Sequence, residues 1–505
     1  MSKQGTGNCD DREYRTTIVY NKDGDYKFSM NCTDLASNFT AGDKVHYSGV
    51  VPTEFTIDKT IPTVNVTYNN RDARNGKYYN KARTATITIN EHNFSTDRIV
   101  VKMTAKDRDE GKAVPAVSKW SNNGDKHIAT ISFSNDAEYT FDIDYTDLAG
   151  NKAADYKPDD FVVDQTAPTI DITGVADKHS YNGNVSPVII LKDTNFNKNA
   201  VGVQLNGVNN GKVNYNRGVQ NVAYGQSIGY SNFTRSQDVD DIYILTINLT
   251  DMAGNQTKKT ISFSVNRFGS TYDLTNIEEV IGKYLQTEED IVFTETNVDS
   301  LKTGSVKLQL VKNGTPSELV EEQDYTIEKS GGNGKWSQYQ YTIKKELFAE
   351  DGNYSLSIYS VDAAGNVNEN IDEAKEAEMR FGIDKTKPVI VVSNLESNTQ
   401  YAEPEKEVQM EIKDNLELKG VRILLDNREV KYAQSGNSFT FKIPQSNSLR
   451  NLEVIAVDSA NNETKVAIDK FLVTTNIFAR WYNNTPLFIG SIAGLAILIV
   501  AAPIG

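Results

Sequence analysis

The chain has 505 residues, 38% hydrophobic and 24% charged, the profile of a mostly folded, mostly water-facing protein long enough for three to five domains. Its formal net charge of −15 argues against a nucleic-acid partner, since phosphate binding needs clustered Lys and Arg. With two cysteines, Cys9 and Cys32, the domains hold together by core packing and not by bridges; a Cys9–Cys32 disulfide and a buried free Cys32 are the two readings of that pair.

The first residues, Met1–Asn8, are polar and carry neither the apolar core nor the cleavage site of a secretory leader. Residues 1–60 read as the second half of a domain, so upstream sequence is expected. Arg12–Tyr20 and Asp25–Thr33 are expected strands joined by the turn Asn21-Lys22-Asp23-Gly24. Tyr26, Phe28, Met30 and Cys32 alternate with polar residues and so share one strand face, before Asp34-Leu35-Ala36-Ser37-Asn38 stops the strand.

This hairpin end returns four times. Tyr139, Phe141, Ile143 and Tyr145 lead to Asp147-Leu148-Ala149-Gly150-Asn151. Tyr243, Leu245, Ile247 and Leu249 lead to Asp251-Met252-Ala253-Gly254-Asn255. Tyr354, Leu356 and Ile358 lead to Asp362-Ala363-Ala364-Gly365-Asn366, and Leu452, Val454 and Ala456 to Asp458-Ser459-Ala460-Asn461-Asn462. The Asp is expected to bond its own backbone, and Gly150 and Asn151 to accept positive φ. Successive Asp positions are 113, 104, 111 and 96 residues apart, the size of one small domain and longer than a solenoid repeat.

A second signature is strand, Asp-x-Thr-x-Pro, strand, at Asp58–Pro62, Asp164–Pro168 and Asp384–Pro388. Proline forces the preceding residue to be extended and cannot donate to a ladder, so the segment reads as a stiff junction between domains. Phe263–Gly269 has no proline, and that junction is expected to bend more. A third signature is an acidic turn early in each unit: Glu91-His92-Asn93, Asp193-Thr194-Asn195, Glu295-Thr296-Asn297 and Asp414-Asn415-Leu416. About seven short strands per unit, with turns every 8–12 residues, predict antiparallel β-sandwiches. Alternation along each strand buries one face of each sheet.

Residues 485–505 carry no charge and as a helix would span ~30 Å, which predicts a transmembrane helix with Leu487–Val500 in the lipid bilayer. Arg480, Trp481 and Tyr482 suit the interface before it. No Lys or Arg follows to orient the span, and a cytoplasmic tail is expected beyond it.

Taken together, the Asp-x-Ala-Gly-Asn hairpin ends, the Asp-x-Thr-x-Pro junctions and the early turns resemble bacterial immunoglobulin-like (Big-type) repeats of Gram-positive cell-surface proteins, over residues 1 to about 475. Tyr26, Tyr139, Tyr243 and Tyr354 look like the tyrosine corner of such sandwiches, and Arg450 departs from it in the last unit. The resemblance implies a spacer or adhesive stalk with extracellular repeats; it identifies no ligand. The expected organisation is a partial domain at 1–60, immunoglobulin-like domains at 61–166, 167–268, 269–386 and 387–476, a juxtamembrane segment at 477–484 and the span at 485–505. At roughly 30 Å per domain the rod would reach on the order of 150 Å.

Catalysis is not expected. Gly225-Gln226-Ser227-Ile228-Gly229 fits the nucleophile elbow, but His46, His92, His127 and His179 all precede Ser227 and no helix follows. Gly331-Gly332-Asn333-Gly334-Lys335 lacks phosphate-loop spacing and reads as a hairpin turn. For calcium, the candidate ligands are Asp147, Asp164, Glu91 and Asp193, since Asp, Asn and carbonyl oxygens at a junction could hold the ion. The competing reading is that these residues only cap turns. Trp120 and Trp336, between strands, are open to a core or a ligand-facing role. The functional expectation is a membrane-anchored surface stalk without catalysis. Its alternatives are a ligand-binding adhesin, or accessory repeats of a larger surface enzyme whose catalytic domain lies upstream.

Overall fold

A computed structural model describes residues 2–4, 13–34, 36–40, 54–209, 215–231, 233 and 236–500. Between Thr63 and Val473 the chain forms four units, each of two facing antiparallel sheets. In the first unit one sheet has the order Ser121–Asn123, Lys126–Phe133, Arg83–Asn90, Thr63–Tyr68. The other has the order Glu110–Gly111, Ile99–Asp107, Ala137–Tyr145, Asp159–Val163, Tyr78–Tyr79. Lettered along the chain these are D-E-B-A and C-F-G, with the first strand split so that its second part joins the other sheet parallel to the last strand. The same parallel pair recurs as His179–Tyr181 with Gln256–Val265, Tyr284–Leu285 with Met379–Ile383, and Gln400–Tyr401 with Glu463–Val473. That sheet order is the immunoglobulin arrangement.

The alternating side chains point inward as expected. Along Ala137–Tyr145, Tyr139, Phe141, Ile143 and Tyr145 are all buried, packed with Ile87, Ile131 and Phe133 of the facing sheet and Phe161 of the neighbouring strand. Leu245, Leu356 and Val454 sit in three further, separate cores. Burying a large apolar side chain is worth roughly 1.5–3 kcal/mol, so each unit's own core is its main source of stability. The four cores share no member, which makes each unit a separate hydrophobic body.

Each of the four corner tyrosines donates its hydroxyl to a backbone carbonyl four residues upstream: Tyr26 to Lys22, Tyr139 to Asn135, Tyr243 to Val239 and Tyr354 to Glu350. In the last unit Arg450 stands in that place, its guanidinium bonding the Asp426 carboxylate at 2.9 Å and the Pro444 carbonyl at 3.3 Å.

Four expectations need correction. The strand expected over Asp25–Thr33 divides into Gly24–Lys27, paired with Glu54–Ile57, and Cys32–Thr33. Met30 is exposed and Cys32 is an exposed free thiol, so the inward series stops after Phe28; Cys9 lies outside the described residues. In the hairpin ends only the fourth residue takes positive φ (Gly150 at 94°, Gly254 at 92°, Gly365 at 94°, Asn461 at 69°); Asn151 does not. Asn297 does not follow a turn at Glu295: the strand Ile291–Asn297 runs through both.

The C-terminal segment is a short helix, Ile477–Tyr482, and a second one, Thr485–Val500. At 16 residues the second reaches ~24 Å, and among the described residues no helix is long and apolar enough to cross a membrane. The span expected over 485–505 is therefore not supported, and residues 501–505 lie outside the described part. The helix does not pack into a sandwich core: Leu487, Ile489, Ile492 and Leu495 are each more than half exposed.

Candidate functional site: carboxylate centres at the domain junctions

The hairpin end has a more specific task than stopping a strand. In Asp147–Asn151 the Asn151 backbone N–H donates to Asp147 Oδ1 at 2.8 Å and its Nδ2 to Asp147 Oδ2 at 2.8 Å. The same Nδ2 also donates to the backbone carbonyl of Asp58, in the preceding unit, at 3.1 Å. Asn255 reaches the Asp164 carbonyl at 2.9 Å, Asn366 the Asn266 carbonyl at 2.8 Å, and Asn462 the Asp384 carbonyl at 2.9 Å. One amide thus closes its own turn and bridges to the domain before it, four times over.

The Asp-x-Thr-x-Pro segments supply the other half of each junction. Asp58, Asp164 and Asp384 each accept the backbone N–H two residues on through Oδ1. The threonine hydroxyl turns back: Thr60 donates to Asp23 at 2.8 Å, Thr166 to Asp136 at 2.6 Å and Thr386 to Asp351 at 2.6 Å. Each five-residue segment is therefore tied at its aspartate and its threonine, and the proline restricts its far end.

These ties gather acidic groups. Asp58, Glu91 and Asp147 meet at one junction, Asp164, Asp193 and Asp251 at the next, and Asp384, Asp414 and Asp458 at the last. In each set one carboxylate oxygen from every residue lies within 4.8 Å of the other two. Burial and mutual repulsion raise the affinity for a proton. Burial, with help from Asp58 and Asp147, pushes Glu91 up. Asp193 is pushed up to about 6 by burial and by the charges of Asp164 and Asp251, and Asp384 to about 6 by burial and by Asp414 and Asp458.

All four calcium candidates from the sequence thus lie in such centres, divided between two of them: Glu91 and Asp147 in one, Asp164 and Asp193 in the other. Sequence reasoning missed Asp58 and Asp251 and the whole set at Asp384, Asp414 and Asp458. The signal was present, because every missed residue occupies a position in one of the three repeated motifs, the hairpin end, the junction or the early turn.

The remaining junction is built differently. Asn266 stands where the others have Asp, and Asn297 takes the position of Glu91, Asp193 and Asp414, accepting the backbone N–H two residues on at 2.9 Å. Asn266 Nδ2 donates to Asn297 Oδ1 at 2.8 Å, Asp299 Oδ2 at 3.2 Å and Asp362 Oδ2 at 2.9 Å. Asp299 also accepts from Ser180 and Ser264 of the preceding unit, and Trp336 Nε1 reaches back to Asp241 at 2.8 Å. Arg267, fully buried, pairs with Asp240 at 2.7 Å. This junction lacks the proline, and buried hydrogen bonds of Asn266, Asn297 and Asp299 span it instead.

Among the other sequence candidates, Ser227 lies mid-strand, paired with Ile190 on one side and Gln220 on the other, so there is no elbow. Gly331–Lys335 is a hairpin turn. Trp120 packs on Phe94 against the first core.

No family model matches the chain, and no curated protein matches it. Solved structures similar to it include tandem immunoglobulin-like and fibronectin-like repeats and adhesin domains. A tetra-tandem repeat from the extending region of a large adhesion protein is 16% identical, covering 81% of this chain and all of that one, at a TM-score of 0.33. The Escherichia coli adhesin FdeC is 12% identical over 64% of this chain and 96% of that one, with a TM-score of 0.23. A four-domain ICAM-5 ectodomain fragment is 8% identical over 81% and 99%, with a TM-score of 0.26. The immunoglobulin assignment of the units rests on their own strand order.

Proposed function

We propose that this chain is the extended, non-catalytic stalk of a bacterial cell-surface protein, with immunoglobulin-like domains joined in series to hold an adhesive or other active part away from the surface. The observation that carries the reading is the repeated asparagine bridge: four successive domains are each tied to the preceding segment by the same side chain, with a spacer of only a few residues. Short, tied spacers hold a fixed distance, which a flexible linker does not. Small-angle scattering of the full chain tests this. A maximum dimension on the order of 150 Å fits serial domains, whereas a compact particle would count against a stalk.

The finer part of the proposal is attachment to lipid through the C-terminal helix. It is supported by the uncharged stretch from Thr485 onward and by the outward-facing Leu487, Ile489, Ile492 and Leu495. Water-exposed side chains of this kind gain about 1.5–3 kcal/mol each on transfer to an apolar phase. Co-flotation of the full chain with phosphatidylcholine vesicles, lost on Leu495→Lys and Ile492→Lys together, is the expected outcome.

A further inference from the structure

We propose that Asp384, Asp414 and Asp458 form a divalent-cation site of the calcium class between the third and fourth complete domains, and that the Asn266 amide fills the equivalent place one junction earlier. The inference goes beyond the stalk reading and does not depend on where the stalk is displayed.

Two observations carry it besides the clustering of acids. First, Asp384 is fully buried, yet its Oδ2 has no hydrogen-bond partner, and Asp414 Oδ1 is buried and unpartnered beside it. A buried, unpaired carboxylate oxygen is costly, more so than a neutral acceptor left without a donor. At the two other acidic junctions an asparagine relieves this: Asn93 Nδ2 donates to Asp58 Oδ2 and Asn195 Nδ2 to Asp164 Oδ2, both at 2.8 Å. Here the equivalent Asn415 donates to Asp351 at 3.1 Å; it stays near enough to Asp384 to favour the charged carboxylate, but no hydrogen bond of ordinary geometry reaches Asp384 Oδ2, which faces its acidic neighbours.

Second, the preceding junction shows what belongs at the centre. There the N–H groups of Asn266 sit among three acceptor oxygens, so a donor bearing partial positive charge occupies the position. With Asn266 and Asn297 replacing two carboxylates, no external cation is needed. With Asp384 and Asp414 in those places, and no donor, one is. The three carboxylates each bring an oxygen within 4.8 Å of the other two, no farther apart than oxygens that share one calcium ion, which lie at most about 4.6–5.2 Å from each other. Three carboxylates plus water meet the ion's preference for hard oxygen ligands.

The test is cleavage by trypsin after Lys385, an exposed lysine in the junction, on the full chain with calcium or with chelator. At calcium a hundredfold above its dissociation constant, opening of the site should fall about 100-fold, and cleavage with it. In Asp384→Asn with Asp414→Asn, which copies the amide pair of the preceding junction, calcium should make no difference at Lys385. Calorimetric titration should show one ion fewer bound than in the natural chain. Cleavage after Arg267 should be indifferent to calcium in both proteins. The proposal is overturned if calcium protects Lys385 equally in the variant, or if it leaves Lys385 unprotected in the natural chain. Because these readouts are local, a compact particle in scattering would remove the stalk reading and leave this site standing.

Discussion

Asn255 Nδ2 lies 2.9 Å from the backbone carbonyl of Asp164 and 2.8 Å from Asp251 Oδ2, so one side chain closes a turn in its own domain and reaches the domain before it. Local turn chemistry and long-range order are the same contact here. Asn255→Ala should cost roughly 1–3 kcal/mol, the penalty for stranding a buried acceptor. The loss should be shared between two effects: a lower melting temperature for residues 167–268, and a broader distribution of distances between the first two complete domains. Spin-label distance measurement across that junction would read the second effect; an unchanged distribution would demote the bridge to a turn cap.

Separate cores predict separate melting. Leu245→Ala removes a fully buried side chain from the second complete domain, at a cost of about 2–5 kcal/mol. Hydrogen exchange should show lost protection within residues 167–268 and little change around Phe141 or Val454. Uniform loss along the chain would mean that the sandwiches fold as one cooperative body.

The Arg267–Asp240 pair is buried on both sides, so removing one charge strands the other. Arg267→Met should destabilise the second domain by about 3–5 kcal/mol in denaturant melts. Asp240→Asn with Arg267→Met should recover much of that loss, because the uncompensated charge is gone.

Asp299 gives the junction at Asn266 a pH dependence of known sign. Burial, and then the charge of Asp362, raises its proton affinity above the ordinary value, while Ser264, Ser180 and Asn266 donate to it. A carboxyl raised in the folded state keeps its proton after the unfolded chain has lost it. Its contribution is therefore full below the unfolded value of about 3.9 and is lost as pH rises through the folded one. Urea melts from pH 4 upward should show this decline, and Asp299→Asn should flatten it.

Much of the architecture was legible before any coordinates. Tyr139, Phe141, Ile143 and Tyr145 define a buried face because side chains alternate along a strand, and the period of the motif set the size of the unit. These are local rules, readable from neighbours in sequence. Where they failed, the cause was distance along the chain. Asn151 looked like a turn residue because its own turn is within view and the Asp58 carbonyl is not. The hydrogen bonds of the proline-free junction were out of view because Arg267, Asp240, Asn297 and Trp336 come from segments far apart.

The order of the amino acids alone determined that this protein is a string of all-β domains, since alternation and turn chemistry act within a few residues. Only the tertiary structure decided that aspartates some 30 and 74 residues from Asp384 share a space with it, because burial and charge repulsion exist only once separate loops have been brought together. The same assembly decided that Asn266 can stand where a carboxylate would, and that one joint is closed by an amide while another gathers three carboxylates.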